Sequence, residues 1–223
     1  MIDAAATAGP EADLPKRCDA VRNRERVIAA AATVFARDGL DAPVPEIARL
    51  AGVGKGTVYR NFPTKEHLAA AVAISRLQQL EQRAATVLAT VDGPAERLRM
   101  LVLAVLEQLS HDRAVGEAVD VVADHPEVLE VQRRVSALLD DALAGAIDAG
   151  AVRDDVDGGD VKVLLTAVAR ALPPLSDGGW PGLWERYALL VLDALRPGGS
   201  PLPAGFADPD EARVATRRAR GRG

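Results

Sequence analysis

Between Val44 and Leu68 the chain reads VPEIARLAGVGKGTVYRNFPTKEHL, and this stretch limits the possible folds more than any other. Two short apolar-patterned segments, Val44–Ala51 and Lys55–Asn61, are joined by a glycine turn. Helices joined in this way pack at a steep angle. Pro45 suits a first helical turn, where a missing N–H costs nothing. Ile47, Leu50 and Ala51 make the inner face of the first segment, and Ala48 lets the two backbones approach. Gly52 supplies the positive φ that the turn needs. Val53, Val58 and Phe62 point inward. Pro63 disfavours a helical backbone at Phe62 and so ends the second segment. Thr64 is placed to cap a new helix beginning at Lys65.

Upstream, Val27, Ile28, Ala31, Val34 and Phe35 recur as one stripe of a 3.6-residue helix. Gly39 follows where a left-handed cap would sit. Residues 24–62 thus predict a three-helix unit, with Val34 and Phe35 as its floor, too small to hold a cavity. Lys55, Thr57, Tyr59, Arg60 and Asn61 then point outward. Gly56 removes a side chain where a backbone could meet a phosphate, and Lys65 with the N–H groups near Thr64 marks a helix end that favours anions. A helix of this size fits the DNA major groove, where side chains read base edges. The bland alternatives are that Tyr59 packs and that Arg60 is a solvated charge. Arg22, Arg24 and Arg26 read equally as a basic arm or as a solvated helix start.

Charge is divided along the chain. The net charge is -5 over 223 residues, yet residues 16–66 hold ten Lys/Arg against six Asp/Glu. Residues 67–196 hold twelve against twenty, and the tail 197–223 five against three. A small basic module is joined to a large acidic one, a pattern more informative than the total. Helical patterns continue over Lys65–Leu88, Pro94–Ser110, Arg113–Asp124, Pro126–Ala149, Gly159–Leu172 and Leu183–Arg196, punctuated by Gly93-Pro94, His125-Pro126 and Gly158-Gly159. There are no β-alternating runs. The expectation is all-α: an N-terminal three-helix DNA-binding domain with a helix-turn-helix, plus a C-terminal helical bundle, about nine helices in total. Residues 1–21 read as a disordered arm, 22–66 as the DNA-binding domain, 67–196 as the effector-binding and dimerisation domain, and 197–223 as a loose basic tail. The arginines of that tail, Arg213 to Arg222, add non-specific attraction to phosphate or stay solvated.

The sequence GVGKGTVYRNFPTKEHLAAAV, preceded by RERVIAAAATVFARDGLDAPVPEIARLA, resembles the DNA-binding region of TetR-family regulators. The match covers about Arg22–Val72. The resemblance implies three helices for DNA and six for ligand binding and dimerisation. It also implies that Thr57, Tyr59 and Lys65 touch DNA phosphates and that Lys55 and Asn61 face the groove, with Gly56 passing the sugar-phosphate chain. One position departs from the family. Members often carry a phosphate-binding Thr or Ser before the second helix, where this chain has Pro43-Val44-Pro45.

The acidic module lacks aromatic residues from Pro63 to Gly179, so a pocket within it would be aliphatic. Leu101, Leu106, Val119, Val122, Leu138 and Leu165 are candidate lining residues. Each reads singly as ordinary core, and the resemblance implies that some of them line a cavity for a small, apolar effector. The last two helical segments are apolar on more than one side and must be buried. Leu164, Val168, Leu189 and Leu192 are therefore placed in a homodimer interface, which would pair with a palindromic operator on double-stranded DNA. Trp180, Trp184 and Tyr187 would cover a pocket mouth or a subunit contact.

Cys18 is the single cysteine, so no intramolecular disulfide forms. With no secretory leader and no stretch of ~20 apolar residues, the chain reads as cytoplasmic and without a membrane partner. His111, Asp112, Asp124 and His125 fall at helix ends, where caps and dipoles account for them, so no metal is expected. No cofactor loop, catalytic triad or paired-carboxylate motif stands out, and an enzyme is not expected. The reading is a ligand-responsive DNA-binding regulator, and the resemblance implies that it is a repressor. Its rivals are a DNA-binding regulator without an effector and a helical carrier or enzyme reusing the fold.

Overall fold

The computed structural model describes residues 14–110, 122, 124–177, 180 and 182–204. Eight helices lie among them. They are α1 (Leu14–Asp38), α2 (Val44–Ala51), α3 (Lys55–Asn61), α4 (Lys65–Thr90), α5 (Pro94–Ser110), α6 (Pro126–Asp148), α7 (Gly158–Asp177) and α8 (Leu183–Ala194). No strand occurs among the described residues. The segment Arg113–Asp124, expected as a further helix, falls almost wholly outside them, as do residues 1–13 and 205–223.

α1 begins at Leu14, eight residues ahead of Arg22, the expected start of the head. No glycine or proline interrupts residues 16–38, and Pro15 sits in the first turn, where it is tolerated. Asp19 to Arg22 are exposed, so this turn carries no stripe. α7 differs at its other end. It runs through Pro173 and Pro174 to Asp177, not stopping at Leu172. Proline's φ is compatible with a helix, but each of the pair gives up an N–H bond and crowds the carbonyl four residues back, so these last turns are the least favourable of α7.

Short local contacts set the head, α1 to α3. Gly52 has φ 64° in the left-handed region. Its N–H donates to Arg49 O at 3.2 Å, and Val53 N–H donates to Ala48 O at 3.0 Å. The two bonds close α2 with a Schellman turn and redirect the chain into α3. At the next junction Thr64 Oγ1 accepts the His67 N–H at 3.4 Å and caps α4. The same hydroxyl holds the Glu66 carboxyl below its ordinary range.

Two apolar cores result. The first gathers Val27, Val34 and Phe35 of α1, Ile47 and Ala48 of α2, Val58 of α3, and Leu68, Val72 and Leu77 of α4. Val122 and, from α6, Val128 and Val131 complete it. The second holds Ala84 of α4 with Leu98, Leu101 and Leu106 of α5, Leu139 and Leu143 of α6, Leu165 of α7, and Val191 of α8. α4 and α6 therefore pass through both cores. Between the cores they are joined by Arg134 and Glu81, whose fork-to-fork contacts measure 2.7 and 3.1 Å.

The tail starts anchored. Arg153 N–H donates to Leu195 O at 2.9 Å, the Arg153 guanidinium donates to Ser200 O at 2.5 Å, and Asp155 accepts the Leu202 N–H at 2.9 Å. Residues 200 and 202, placed in a loose segment by composition alone, are thus tied to the turn before α7. Arg153 beside it holds the Asp155 carboxyl well below its ordinary value of 3.8, with help from the Leu202 N–H.

Three outcomes follow from this packing. Phe35→Ala empties a fully enclosed site and should cost about 3–5 kcal/mol in urea denaturation. Gly52→Ala forces a side chain into the left-handed region and should cost about 1–2 kcal/mol. Asp38, Glu81 and Asp155 all have lowered carboxyl pKa values. Their stabilisation is fully present above the ordinary values of 3.8 and 4.5 and is lost as pH falls through the lower folded values. Thermal unfolding of Asp155→Asn should consequently fall less steeply than wild type on acidification below pH 3.8.

Candidate nucleic-acid interface

α3 is held from one side only. Val58 is 1% exposed and Phe62 3%, and both belong to the head core. The opposite side is open: Tyr59 is 43% exposed, and Lys55, Gly56 and Arg60 are exposed as well. Thr57, Asn61 and Lys65 are half-buried. The helix starts at Gly54, whose carbonyl accepts the Thr57 N–H at 2.9 Å, and closes with Phe62 N–H on Val58 O at 2.8 Å. Apart from its chain neighbours and the backbone of its own helix, nothing lies within 4 Å of the point where a Gly56 Cβ would stand. The backbone there is open to close approach by another molecule.

The polar side chains of α3 hold one another in place. Lys55 Nζ lies 5.7 Å from the Tyr59 ring centroid, a cation–π contact. Arg60 donates from Nε to Gly56 O at 3.2 Å and from Nη2 to Thr57 Oγ1 at 3.1 Å. Asn61 Nδ2 donates to Thr57 O at 2.8 Å. These partners are neutral, so the Lys55 and Arg60 charges remain available to an anion. The internal bonds of Arg60 and Asn61 were not legible in spacing, because an i to i+3 or i+4 contact is open to any polar pair.

Two further contacts position the site. Arg37, at the end of α1, bridges Asp38 and Glu46, its Nε lying 2.9 Å from Asp38 Oδ1. The pairing raises the Arg37 pKa and holds the Asp38 carboxyl below its ordinary range. It ties the exit of α1 to the first turn of α2, where Pro43 and Pro45 carry no hydroxyl. The α2 N-terminus has no side-chain cap bond. At the other end, the Arg24 guanidinium stands 4.8 Å from the Phe62 ring centroid.

The remaining candidate residues separate into different places. Leu101, Leu106 and Leu165 are buried in the second core, and Leu138 packs against it half-buried. Val122 belongs to the first core, away from these four. Val119 lies outside the described residues. Among the surface positions, Leu164 is 39% exposed and Leu189 44%, next to exposed Val163 and Leu190. Val168 and Leu192 are half-buried beneath them. A groove of about 410 Å³ along α8 is lined by Glu185, Arg186, Leu189, Leu190 and Asp193 with Gly182. Trp180 is exposed and Trp184 packs on the second core. Among the described residues no cluster of His, Cys, Asp or Glu could hold a metal, and no helix is long and apolar enough to cross a membrane.

Comparison with known proteins agrees with this arrangement. Residues 27–72 match the model for bacterial regulatory proteins of the tetR family. Residues 93–197 match the C-terminal domain model of SbtR-like transcriptional regulators. The repressor KstR2 of Mycobacterium tuberculosis is 30% identical over 145 residues, covering 60% of this chain and 71% of that protein. KstR2 of Mycolicibacterium smegmatis is 36% identical over 92 residues, which span 41% of this chain and only 45% of its own length. The M. tuberculosis protein has been solved as a ketosteroid transcriptional regulator, with 25% identity, a TM-score of 0.58, and 78% and 95% of the two chains covered. The TetR regulator SCO0520 of Streptomyces coelicolor matches at 33% identity and a TM-score of 0.59, over 79% of this chain and 99% of its own. A TetR regulatory protein of Mycobacterium vanbaalenii matches at 36% and 0.58, over 82% and 99%. The family models together span the head and the body, and the M. tuberculosis relative is matched over more than two thirds of its length, so this chain belongs to the TetR family of bacterial transcriptional regulators.

Proposed function

We propose that the protein acts as a homodimer on a palindromic operator and is released by a small apolar effector. The observation that carries this reading is α3 itself. Its inner residues Val58 and Phe62 are locked in the core while Tyr59, Lys55 and Arg60 face outward. Lys55 and Asn61 discriminate bases, and Thr57, Tyr59 and Lys65 hold phosphates while Gly56 admits the sugar-phosphate chain. Arg60 leaves Thr57 for a phosphate or a base edge. Exposed Leu164 and Leu189, on neighbouring helices, support pairing with a second copy, since apolar surface of this kind marks contact sites. The two-fold axis then sets the half-site spacing.

An effector in the aliphatic body acts by population shift. It binds one tilt of α4 better than the other, and by linkage changes the affinity for DNA. An apolar ligand suits walls made of Leu, Val and Ala. The relative KstR2, solved as a ketosteroid regulator, lends support to that class of ligand without identifying the molecule.

Selection of random duplexes on the purified protein tests the reading. It should return an inverted repeat, and enrichment of no common sequence would refute it. With that duplex, Tyr59→Phe should weaken binding by roughly 1.5–3 kcal/mol per protomer, the worth of a hydrogen bond to a charged group. Its melting temperature should stay unchanged, because the hydroxyl lies on an exposed residue. Leu164→Asp combined with Leu189→Asp should sediment as a monomer and lose operator binding while keeping its helical circular dichroism.

A further inference from the structure

In the body, Arg83, Arg134 and Arg153 are held by carboxylates. Arg24 and Arg26 of α1 are held differently. Arg24 rests on the Phe62 ring, 4.8 Å from its centroid. Arg26 makes a long hydrogen bond, 3.4 Å, to Asn23 Oδ1. Its Nη2 also comes within 2.5 Å of the point where a Gly52 Cβ would stand. Both residues are exposed, and neither has a carboxylate partner among the described residues. A ring and an amide oxygen fix a guanidinium in place without cancelling its charge.

The two anchoring points bracket α3. Phe62 caps its C-terminal end, and Gly52 stands two residues before its N-cap, Gly54. Their placement by α3's own flanks separates these arginines from an ordinary solvated helix start. A guanidinium carries five N–H donors, and most of them remain unused here. It also meets a phosphate through two parallel bonds. We propose that Arg24 and Arg26 form a phosphate-binding pair that grips the duplex backbone on either side of the groove entered by α3. The pair rests on the DNA-binding reading and adds affinity without base preference.

The test is a salt titration of the full-length dimer by fluorescence anisotropy, from about 50 to about 200 mM, on a random-sequence duplex and on the selected operator. Arg24→Gln and Arg26→Gln should each lower the slope of log K against log salt by about 1 per protomer and weaken both duplexes by the same factor. Arg24→Lys should keep the wild-type slope. Arg26→Gln removes no ring contact, so it carries the test even where loss of Arg24 from Phe62 lowers the melting temperature. Wild-type slopes in both Gln variants would overturn the pair, and so would a loss confined to the operator. Should the wild type bind neither duplex, the DNA reading fails and the pair with it. If the wild type binds and the variants match it, only the pair fails.

Discussion

Burial of the first half of α4 inside the head is the contact on which the rest of the molecule depends. Leu68, Val72 and Leu77 fill the same core as Val34, Phe35 and Val58. The helix then continues without a break to Ala84 in the body core. At about 1.5 Å per residue, its 26 residues span about 39 Å. A helix embedded at both ends cannot bend cheaply, since close-packed interiors pass on strain and do not absorb it. A small tilt at the body end becomes a displacement of the recognition helix. α6 is built the same way, with Val128 and Val131 in the head and Leu139 and Leu143 in the body. Head and body are therefore joined by two parallel struts. The exposed Arg134–Glu81 pair between them contributes little energy, but its two-bond geometry fixes the register of one strut against the other.

Charge is organised by the same division. Carboxylates pair with Arg83, Arg99, Arg133, Arg134, Arg153 and Arg196 of the body, which offsets much of the cationic surface of that module. In the head, Arg24, Arg26, Lys55 and Arg60 are placed by rings, amides and hydroxyls. Neutral partners order a long side chain, which lowers the entropy it loses on meeting a ligand, and they leave its charge intact. An acidic body behind a basic head also orients the molecule in the field of a polyanion. The net charge of -5 hides this arrangement entirely.

Much of the head was legible because its determinants are local. The Gly52 turn, the end of α3 before Pro63, and the Thr64 cap each depend on residues within five positions of one another. The outward face of Lys55, Gly56, Tyr59 and Arg60 follows from the inward placement of Val58 and Phe62. Contacts between distant residues left no such mark. Nothing in the spacing assigns Val122, Val128 and Val131 to the head, since an aliphatic stripe specifies burial but not the partner. The Arg37–Glu46 clamp and the Arg153–Asp155–Leu202 strap were hidden for the same reason. The continuation of α7 through Pro173-Pro174 runs against the local rule, since proline there removes N–H bonds and crowds the preceding turn. Of the aliphatic pocket candidates, Leu101, Leu106, Leu138 and Leu165 gather in one core, yet composition alone could not distinguish them from Val122 in the other.

The size of α3 gives a physical reason for the proposed second copy. Seven residues reach only a few base pairs, and each good base contact discriminates by about 1–3 kcal/mol. One head alone cannot pick a site from a genome of competing sequence. Two heads on one rigid frame make the second binding event intramolecular, with an effective concentration set by geometry. That gain vanishes when the frame changes the distance between the heads, because the half-sites are fixed by the helical repeat of DNA. Control through spacing leaves α3 intact, so its Val58–Phe62 anchor can stay rigid in both states. The bistable part can then lie in the aliphatic body, where Leu and Val side chains repack without breaking hydrogen bonds. In the proposed dimer the exposed apolar face of α7 and α8 is the hinge side of this frame, and α4 and α6 are the arms that convert its geometry into affinity.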